Sequence, residues 1–404
     1  MGVCQKNQVI YKESLPSMDT KNLERLIIRY LSKIISKKEW EELNSWFEES
    51  GDFNLFRDYL RINYTIDCIM SEFDKEKRKK SVLEKIKKDK MNDRRLRRFN
   101  YFKYAAAITV ILGVSYAILT NNTTTIPDRD VVKIVESGSN KAILTLENGN
   151  EVALEKGKRY NNDKASSNGE SLVYTSKTND DSSEELTFNY LTVPRGGQFF
   201  LKLSDETKVW VNSDSRIKYP TNFFEGNTRE VEIVYGEAYF EVSPSSENRG
   251  ASFEVLTRKQ KVNVLGTEFN VRAYKNEAEV ITTLVGGKVV VEKKGAKRSL
   301  IPNQQSISKD NSNHIDIREV DASLMTSWVR GLFIFEEESL GEMVEDLSRW
   351  YDVEVFFMTE ELKKIPFTGV LERTKSLNDL LKVIEVISDD AVKFEMKKNV
   401  LIVK

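Results

Sequence analysis

Apolar residues recur at three- and four-residue steps in the first quarter of the chain and at every second position over most of the rest, so a helical segment precedes an extended one. From Thr20, the residues Leu23, Leu26, Ile27, Tyr30, Leu31 and Ile34 share one helical face. Ser36-Lys37-Lys38-Glu39 is a capping box, in which serine hydroxyl and glutamate carboxylate each accept the other residue's backbone N–H. It opens a helix carrying Trp40, Leu43, Trp46 and Phe47 and ending at Gly51. Phe53, Phe56, Tyr59, Leu60, Tyr64 and Ile66 predict a third helix, and Val82, Leu83 and Ile86 a fourth. The expected fold is therefore multidomain, beginning with a small all-α module over residues 1–95. So small a core shelters few aromatics. Trp40, Leu43, Trp46, Phe47, Phe56 and Tyr59 either form it or complete their burial on a partner.

Tyr104–Thr120, YAAAITVILGVSYAILT, interrupts this pattern, and no charged residue occurs from Tyr104 to Pro127. At about 1.5 Å per residue, a helix of that length crosses a hydrocarbon core about 30 Å thick. Tyr101, Phe102 and Tyr104 suit interfacial anchoring. The competing readings are a buried core helix and a signal peptide, and the second conflicts with the folded module before it. From Lys75 to Lys103 there are 14 Lys or Arg against four acids, with Arg94, Arg95, Arg97, Arg98 and Lys103 nearest the span. Basic flanks are retained in the cytoplasm. The N-terminal module is thus expected inside and residues 127–404 outside, in the periplasm of a Gram-negative cell. Read instead as a nucleic-acid patch, the basic run would need a second function.

Beyond the span, Val131–Val135, Ala142–Leu146 and Glu151–Leu154 alternate as strands, with an Asn148-Gly149 hairpin signal between the last two. Lys156–Glu185, rich in Asn, Ser and Asp, reads as a polar loop, so 127–185 is expected as strands plus linker. From Tyr190 to Ser308 short strands follow at about ten-residue spacing, separated by turn residues that include Gly236, Gly266 and Gly286-Gly287. Residues 190–310 are expected to form an all-β domain, a rolled sheet or sandwich. Over 330–404 a strand, the capping box Ser339-Leu340-Gly341-Glu342, a helix and a strand are followed by the same order around Ser376-Leu377-Asn378-Asp379. Two β-α-β units make a C-terminal α+β domain.

Charge and cysteine count narrow the chemistry. The chain carries 62 Lys and Arg and 63 Asp and Glu, but residues 1–127 hold 24 and 17 of these, leaving 38 and 46 beyond. The outer part is acidic and unsuited to direct nucleic-acid binding. Cys4 and Cys68, the only cysteines, both precede the span, so no disulfide is possible beyond it. The single histidine, His314, excludes a histidine triad and a His/Cys zinc site. No cofactor is indicated, and no enzyme chemistry is singled out, since no spacing isolates a pair of carboxylates.

VPRGGQFFLKLSDETKVWVNSDSRIKYP (Val193–Pro220), VYGEAYFEV (Val234–Val242), VNVLGTEFNVRAY (Val262–Tyr274) and TTLVGGKVVV (Thr282–Val291) resemble the FecR family of membrane anti-sigma factors. The likeness continues at SLGEMVEDLSRWYDVEV (Ser339–Val355) and FTGVLERTKSLNDLLKVI (Phe367–Ile384), and more loosely over the N-terminal helices. One departure is visible: where the family has Asp-Gly in a hairpin, Glu206 follows Asp205, so a different or longer turn is expected. The resemblance implies that the N-terminal helices hold an extracytoplasmic-function sigma factor, with Trp40, Leu43, Trp46, Phe47, Phe56 and Tyr59 as candidate contacts. It also implies that the outer part senses the signalling domain of a TonB-dependent outer-membrane receptor, and that membrane proteases release the sigma factor. Gly266-Thr267 sets a hydroxyl beside a glycine carbonyl, as an N→O acyl shift requires, and some relatives are thought to self-cleave at such a bond. The alternative is a turn glycine followed by a strand threonine. A membrane-anchored periplasmic glycan-binding protein, using Trp210, Tyr219, Phe223 and Phe224, is the rival function. A DNA-binding regulator would need a recognition helix that the N-terminal pattern lacks.

Overall fold

A computed structural model describes residues 20–50, 135–175, 186–224, 226–310, 312–388 and 391–404. The expected third and fourth helices, with Phe56 and Tyr59, lie outside the described residues, as do Arg94, Arg95, Arg97, Arg98, Lys103 and the span 104–120. No helix among the described residues is long and apolar enough to cross a membrane.

Helices α1 (Thr20–Leu31) and α2 (Lys37–Ser50) form a hairpin. The capping box is made as read: Ser36 N–H donates to Glu39 Oε2 at 2.8 Å and Glu39 N–H to Ser36 Oγ at 3.3 Å. Leu23, Leu26, Ile27, Leu43 and Phe47 close on one another as the hairpin core. The outer face of α1 rests on the far end of the chain. Ile28 packs with Leu324 and Ile334, and the Arg29 guanidinium donates to both oxygens of Asp321, at 2.8 and 2.7 Å.

The β domain begins with β1 (Ser139–Thr145) and β2 (Glu151–Glu155), joined at Asn148-Gly149 as the alternation predicts. Then come β3 (Tyr160–Asn161), β4 (Ala165–Ser167), β5 (Ser171–Tyr174), β6 (Phe188–Val193), β7 (Gly197–Lys202), β8 (Lys208–Val211), β9 (Ser215–Pro220) and β10 (Arg229–Glu241). β11 (Phe253–Leu256), β12 (Lys261–Val264), β13 (Glu268–Ala273) and β14 (Glu279–Gly286) follow, then β15 (Val289–Lys293), β16 (Ala296–Leu300), β17 (Gln304–Lys309) and β18 (Ile315–Glu319). They form two layers sharing one strand. One runs β2-β1-β6-β9-β10-β11-β12-β15-β16. The other runs β3-β4-β5-β7-β8-β10-β13-β14-β17-β18. Alternate residues of both layers fill a single core around Leu191, Leu201, Phe240, Phe253 and Phe269.

Three local expectations change. Gly236, expected as a turn between two short strands, lies inside a single strand, β10. A register shift between Ile233 and Tyr235 bends it, so its first half pairs with β9 and β11 and its second with β8 and β13. Part of Lys156–Glu185, expected as linker, supplies β3, β4 and β5, and Ala165, Leu172 and Tyr174 are buried in the core. Its polar residues build the turns between those strands: Asn162 Oδ1 accepts the N–H of Lys164 and Ala165, and Asn168 Oδ1 that of Glu170 and Ser171. The hairpin at Asp205-Glu206 is tight rather than lengthened. Glu206 itself adopts positive φ (71°), Leu203 N–H bonds Thr207 O at 2.9 Å, and the Asp205 carboxylate accepts from Thr207 N–H and from Arg229.

The short helix α3 (Ala322–Met325) and a turn at Ser327–Arg330 lead into the C-terminal domain. Its elements are β19 (Leu332–Ser339), α4 (Leu340–Tyr351), β20 (Glu354–Phe357), β21 (Pro366–Glu372), α5 (Leu377–Ile387), β22 (Phe394–Lys397) and β23 (Val400–Val403). Both capping serines accept as read, from Glu342 N–H and Asp379 N–H. Two β-α-β units are present, but their strands exchange partners: β19 pairs with β21, and β20 with β23. Leu340, Met343, Val344, Leu347, Leu377, Leu380, Leu381 and Ile384 turn the helices onto a second core.

Candidate functional site

The motif residues of both domains meet at the junction between them. A cavity of about 700 Å³ lies there. Strand β13 brings Asn270, Arg272 and, just beyond it, Tyr274; β10 brings Glu237; Asn212 follows β8. From the other side come Trp328, Glu338 at the end of β19, Asp346, Arg349 and Trp350 of α4, and Arg373 after β21. The Glu237 carboxylate accepts from Asn212 Nδ2 at 2.8 Å and Asn270 Nδ2 at 2.9 Å. Each amide then faces the C-terminal side: Arg373 Nη2 donates to Asn212 Oδ1 at 3.1 Å, and Trp328 Nε1 to Asn270 Oδ1 at 3.4 Å. Beside this chain, two arginines and two acids close a ring. Arg272 pairs with Glu277 at 2.7 Å and Asp346 at 2.9 Å, and Arg349 pairs with Asp346 at 2.7 Å and Glu277 at 2.9 Å.

Burial and charge work against each other here. Burial pushes the Asp346 carboxyl up, but Arg272 and Arg349 overcome it and hold the group below its ordinary range. At Glu237 burial prevails over Arg272 and the two amide donors, so its pKa is raised. Burial, reinforced by the charge of Asp346, lifts Glu338 to about 8. Among the described residues no carboxylate forms an ion pair with Arg373, whose guanidinium lies 3.9 Å from the Trp350 ring centroid; burial lowers its pKa to about 10. Every charge of the ring is paired, whereas the Glu338 side chain makes no hydrogen bond or ion pair within the described residues. The arrangement holds two domains in register by polar contacts. No group of three His, Cys, Asp or Glu among the described residues could hold a metal.

The candidate partner contacts of the helical hairpin divide. Leu43 and Phe47 are core, and Trp46 lies edge-on to Phe47 with centroids 5.4 Å apart. Trp40 is 40% exposed and stacks on Tyr30, itself 37% exposed. These two make an aromatic patch that apolar periodicity did not separate from the core. The aromatics considered for a glycan site also disperse: Tyr219 is buried against Tyr174, Phe223 packs on the β core, and Trp210 lies between Phe200 and Tyr239.

At Gly266-Thr267, Gly266 has φ +149°, and a Cβ there would meet Pro244 Cα at 3.0 Å, so the turn requires glycine. Thr267 Oγ1 donates to the Lys288 carbonyl at 3.0 Å, and no side-chain base among the described residues is hydrogen-bonded to it. Intact-mass spectra of the purified chain are therefore expected to show one unbroken species. Fragments meeting at this bond would instead establish the acyl shift.

Nothing local marks the junction residues, which sit in ordinary alternating strands, in an amphipathic helix or in the turns next to them. Glu237, Asn270 and Arg272 alternate with the core residues Ala238, Phe269 and Val271, so they read as solvent-facing polar positions until the C-terminal domain covers that face.

Comparison with known proteins places both sides of the junction. Residues 189–290 match the family described as FecR protein, and residues 332–403 match FecR, C-terminal. No curated protein matches the chain. Among solved structures, one from Parabacteroides distasonis ATCC 8503, described as a "putative anti-sigma factor" and determined at 1.65 Å resolution, is 28% identical. The match covers 53% of this chain and 98% of that one, with a TM-score of 0.48. A second structure of the same description, at 2.50 Å, is 28% identical over 54% of this chain and 98% of that one, also with a TM-score of 0.48.

Proposed function

From the premise that the chain carries a FecR domain and a FecR C-terminal domain, we propose that it is a transmembrane anti-sigma factor. The N-terminal helices hold an extracytoplasmic-function sigma factor in the cytoplasm, Tyr104–Thr120 crosses the inner membrane once, and the outer domains receive a signal from a TonB-dependent receptor. Membrane proteases then free the sigma factor. This reading assigns the chain no catalytic turnover. The observation that supports it most is the joint occurrence of the two family domains, docked through residues of their own motifs, in a chain that also carries a basic-flanked apolar stretch.

Retention of a sigma factor by residues 1–95 tests the cytoplasmic half. Co-expression with the cell's sigma factors and pull-down is expected to recover one. Trp40→Ala is expected to weaken capture, because its ring is exposed, while leaving the hairpin core intact. Failure to retain any sigma factor would sink the proposal.

Topology has its own discriminator. A chain crossing at 104–120 holds Arg29 and Asp321 on opposite faces of the membrane, so their contact and the span exclude each other. In membranes, the pair Arg29→Cys and Asp321→Cys is expected to remain uncross-linked. Efficient disulfide formation would overturn the single-span arrangement.

A further inference from the structure

We propose that the C-terminal domain carries a binding surface for the chain's own stem, residues 135–139, and so controls the segment that joins the β domain to the proposed span. The inference rests on the membrane-tethered reading only for its consequence; the surface itself is a matter of contacts.

Helix α5 starts with backbone donors that have no partner inside the helix. Ser376 serves one of them, the N–H of Asp379. The stem serves another: Leu377 N–H donates to the Val135 carbonyl at 3.1 Å, and Asn378 Oδ1 accepts the Val135 N–H at 3.2 Å. The Val135 side chain packs against the C-terminal core. Three residues on, the stem lies against the face of Trp350. A Cβ built on Gly138 would stand 2.7–2.8 Å from three carbons of that indole, so no larger residue fits without moving the ring. The ring is itself fixed, with Nε1 donating to the Arg373 carbonyl at 2.8 Å and the Arg373 guanidinium stacked on it.

At Ser139 the stem changes hands. Its N–H donates to the Gly196 carbonyl at 3.0 Å, while Gly196 N–H donates to the Arg349 carbonyl at 2.7 Å. Ser139 opens β1, alongside Gly197 of β7. Within five residues the chain is therefore bound by α5, laid on α4 and handed to the β domain. Any movement of the C-terminal domain away from the β domain must detach the stem from one of them. The residues that lock the domains, Arg373 and Arg349, are those that seat the stem's neighbours. A partner that turns the C-terminal domain would thus loosen the stem, which begins 15 positions after Thr120.

Limited digestion of the full-length chain with a glutamate-specific protease, followed by mass spectrometry, reads the stem at Glu136, an exposed residue. Gly138→Val forces the stem off Trp350, and Asn378→Ala removes the acceptor for Val135 N–H. Asn276→Ala serves as control, because it breaks a junction hydrogen bond to Glu345 without touching the stem. Loss of one such contact is expected to raise cleavage after Glu136 by about tenfold in either stem variant, since cutting follows the population of the open form. Cleavage at other glutamates and in the control should stay unchanged. An unchanged rate at Glu136 in both stem variants overturns the proposal. If Gly138→Val raises cutting everywhere, it has unfolded, and Asn378→Ala alone decides. Neither result depends on capture of a sigma factor, so this surface and the proposed function fail separately.

Discussion

Arg373→Met is expected to destabilise the full chain by about 2–4 kcal/mol and to weaken the link between the domains more than either domain alone. Arg373 is 2% exposed, and its guanidinium donates to Trp328 O and Asn212 Oδ1, one on each side of the junction. Methionine has similar reach but no donor. The acceptors are not orphaned: Trp328 O still takes Gly331 N–H, and Asn212 Oδ1 still takes Ser213 N–H. What is lost is a pair of charge-assisted bonds, each worth about 1.5–3 kcal/mol, and a cation near the buried Glu237. Removing a poorly solvated cation offsets part of that cost. Urea denaturation gives the total. A double-mutant cycle with Asn212→Ala should return a coupling of about 1–2 kcal/mol. Additive effects would show that Arg373 does not act across the junction.

A second large effect concerns pH. Folded Glu338 keeps its proton up to about 8, whereas its ordinary value is 4.5. Between those values the folded state binds more protons than the unfolded one, so stability must fall as pH rises. The loss begins above 4.5 and is complete just beyond 8. The new carboxylate then faces Asp346, Glu342 and Glu237, with Arg272 as its counter-charge. Each unit of separation corresponds to about 1.4 kcal/mol, and partial access to solvent in the cleft reduces the total to a few kcal/mol. Melting temperatures at pH 5, 7 and 9 should decline for the natural chain and decline less for Glu338→Gln. Asp346, with a depressed pKa, contributes stability that is lost only as pH falls through its own acidic range, outside this window. Parallel profiles for the two proteins would refute the role given to Glu338.

Both effects arise at a place that no short window of residues reveals. The capping boxes at Ser36, Ser339 and Ser376 were legible because a cap is a contact between residues three apart. The Asn148-Gly149 hairpin and most strands of the β domain were legible because alternation is local as well. Composition misled at Lys156–Glu185, where asparagines that look like linker residues close turns between paired strands. Gly236 misled in the opposite sense: a residue that reads as a turn lies inside a bent strand passing from one layer to the other.

By itself, the sequence determined the helical pair over 20–50, most of the strands beyond residue 138, the caps, the charge asymmetry and the two repeated β-α-β units, since periodicity and charge are carried by neighbours along the chain. Tertiary structure alone decided which side chains of the hairpin are core and which are exposed. It alone brought Asn212, Glu237, Asn270 and Arg373 into one network, and laid Gly138 against Trp350. Those contacts join residues tens to hundreds of positions apart. A buried carboxylate acquires its partners only when the strands and helices that carry them are packed.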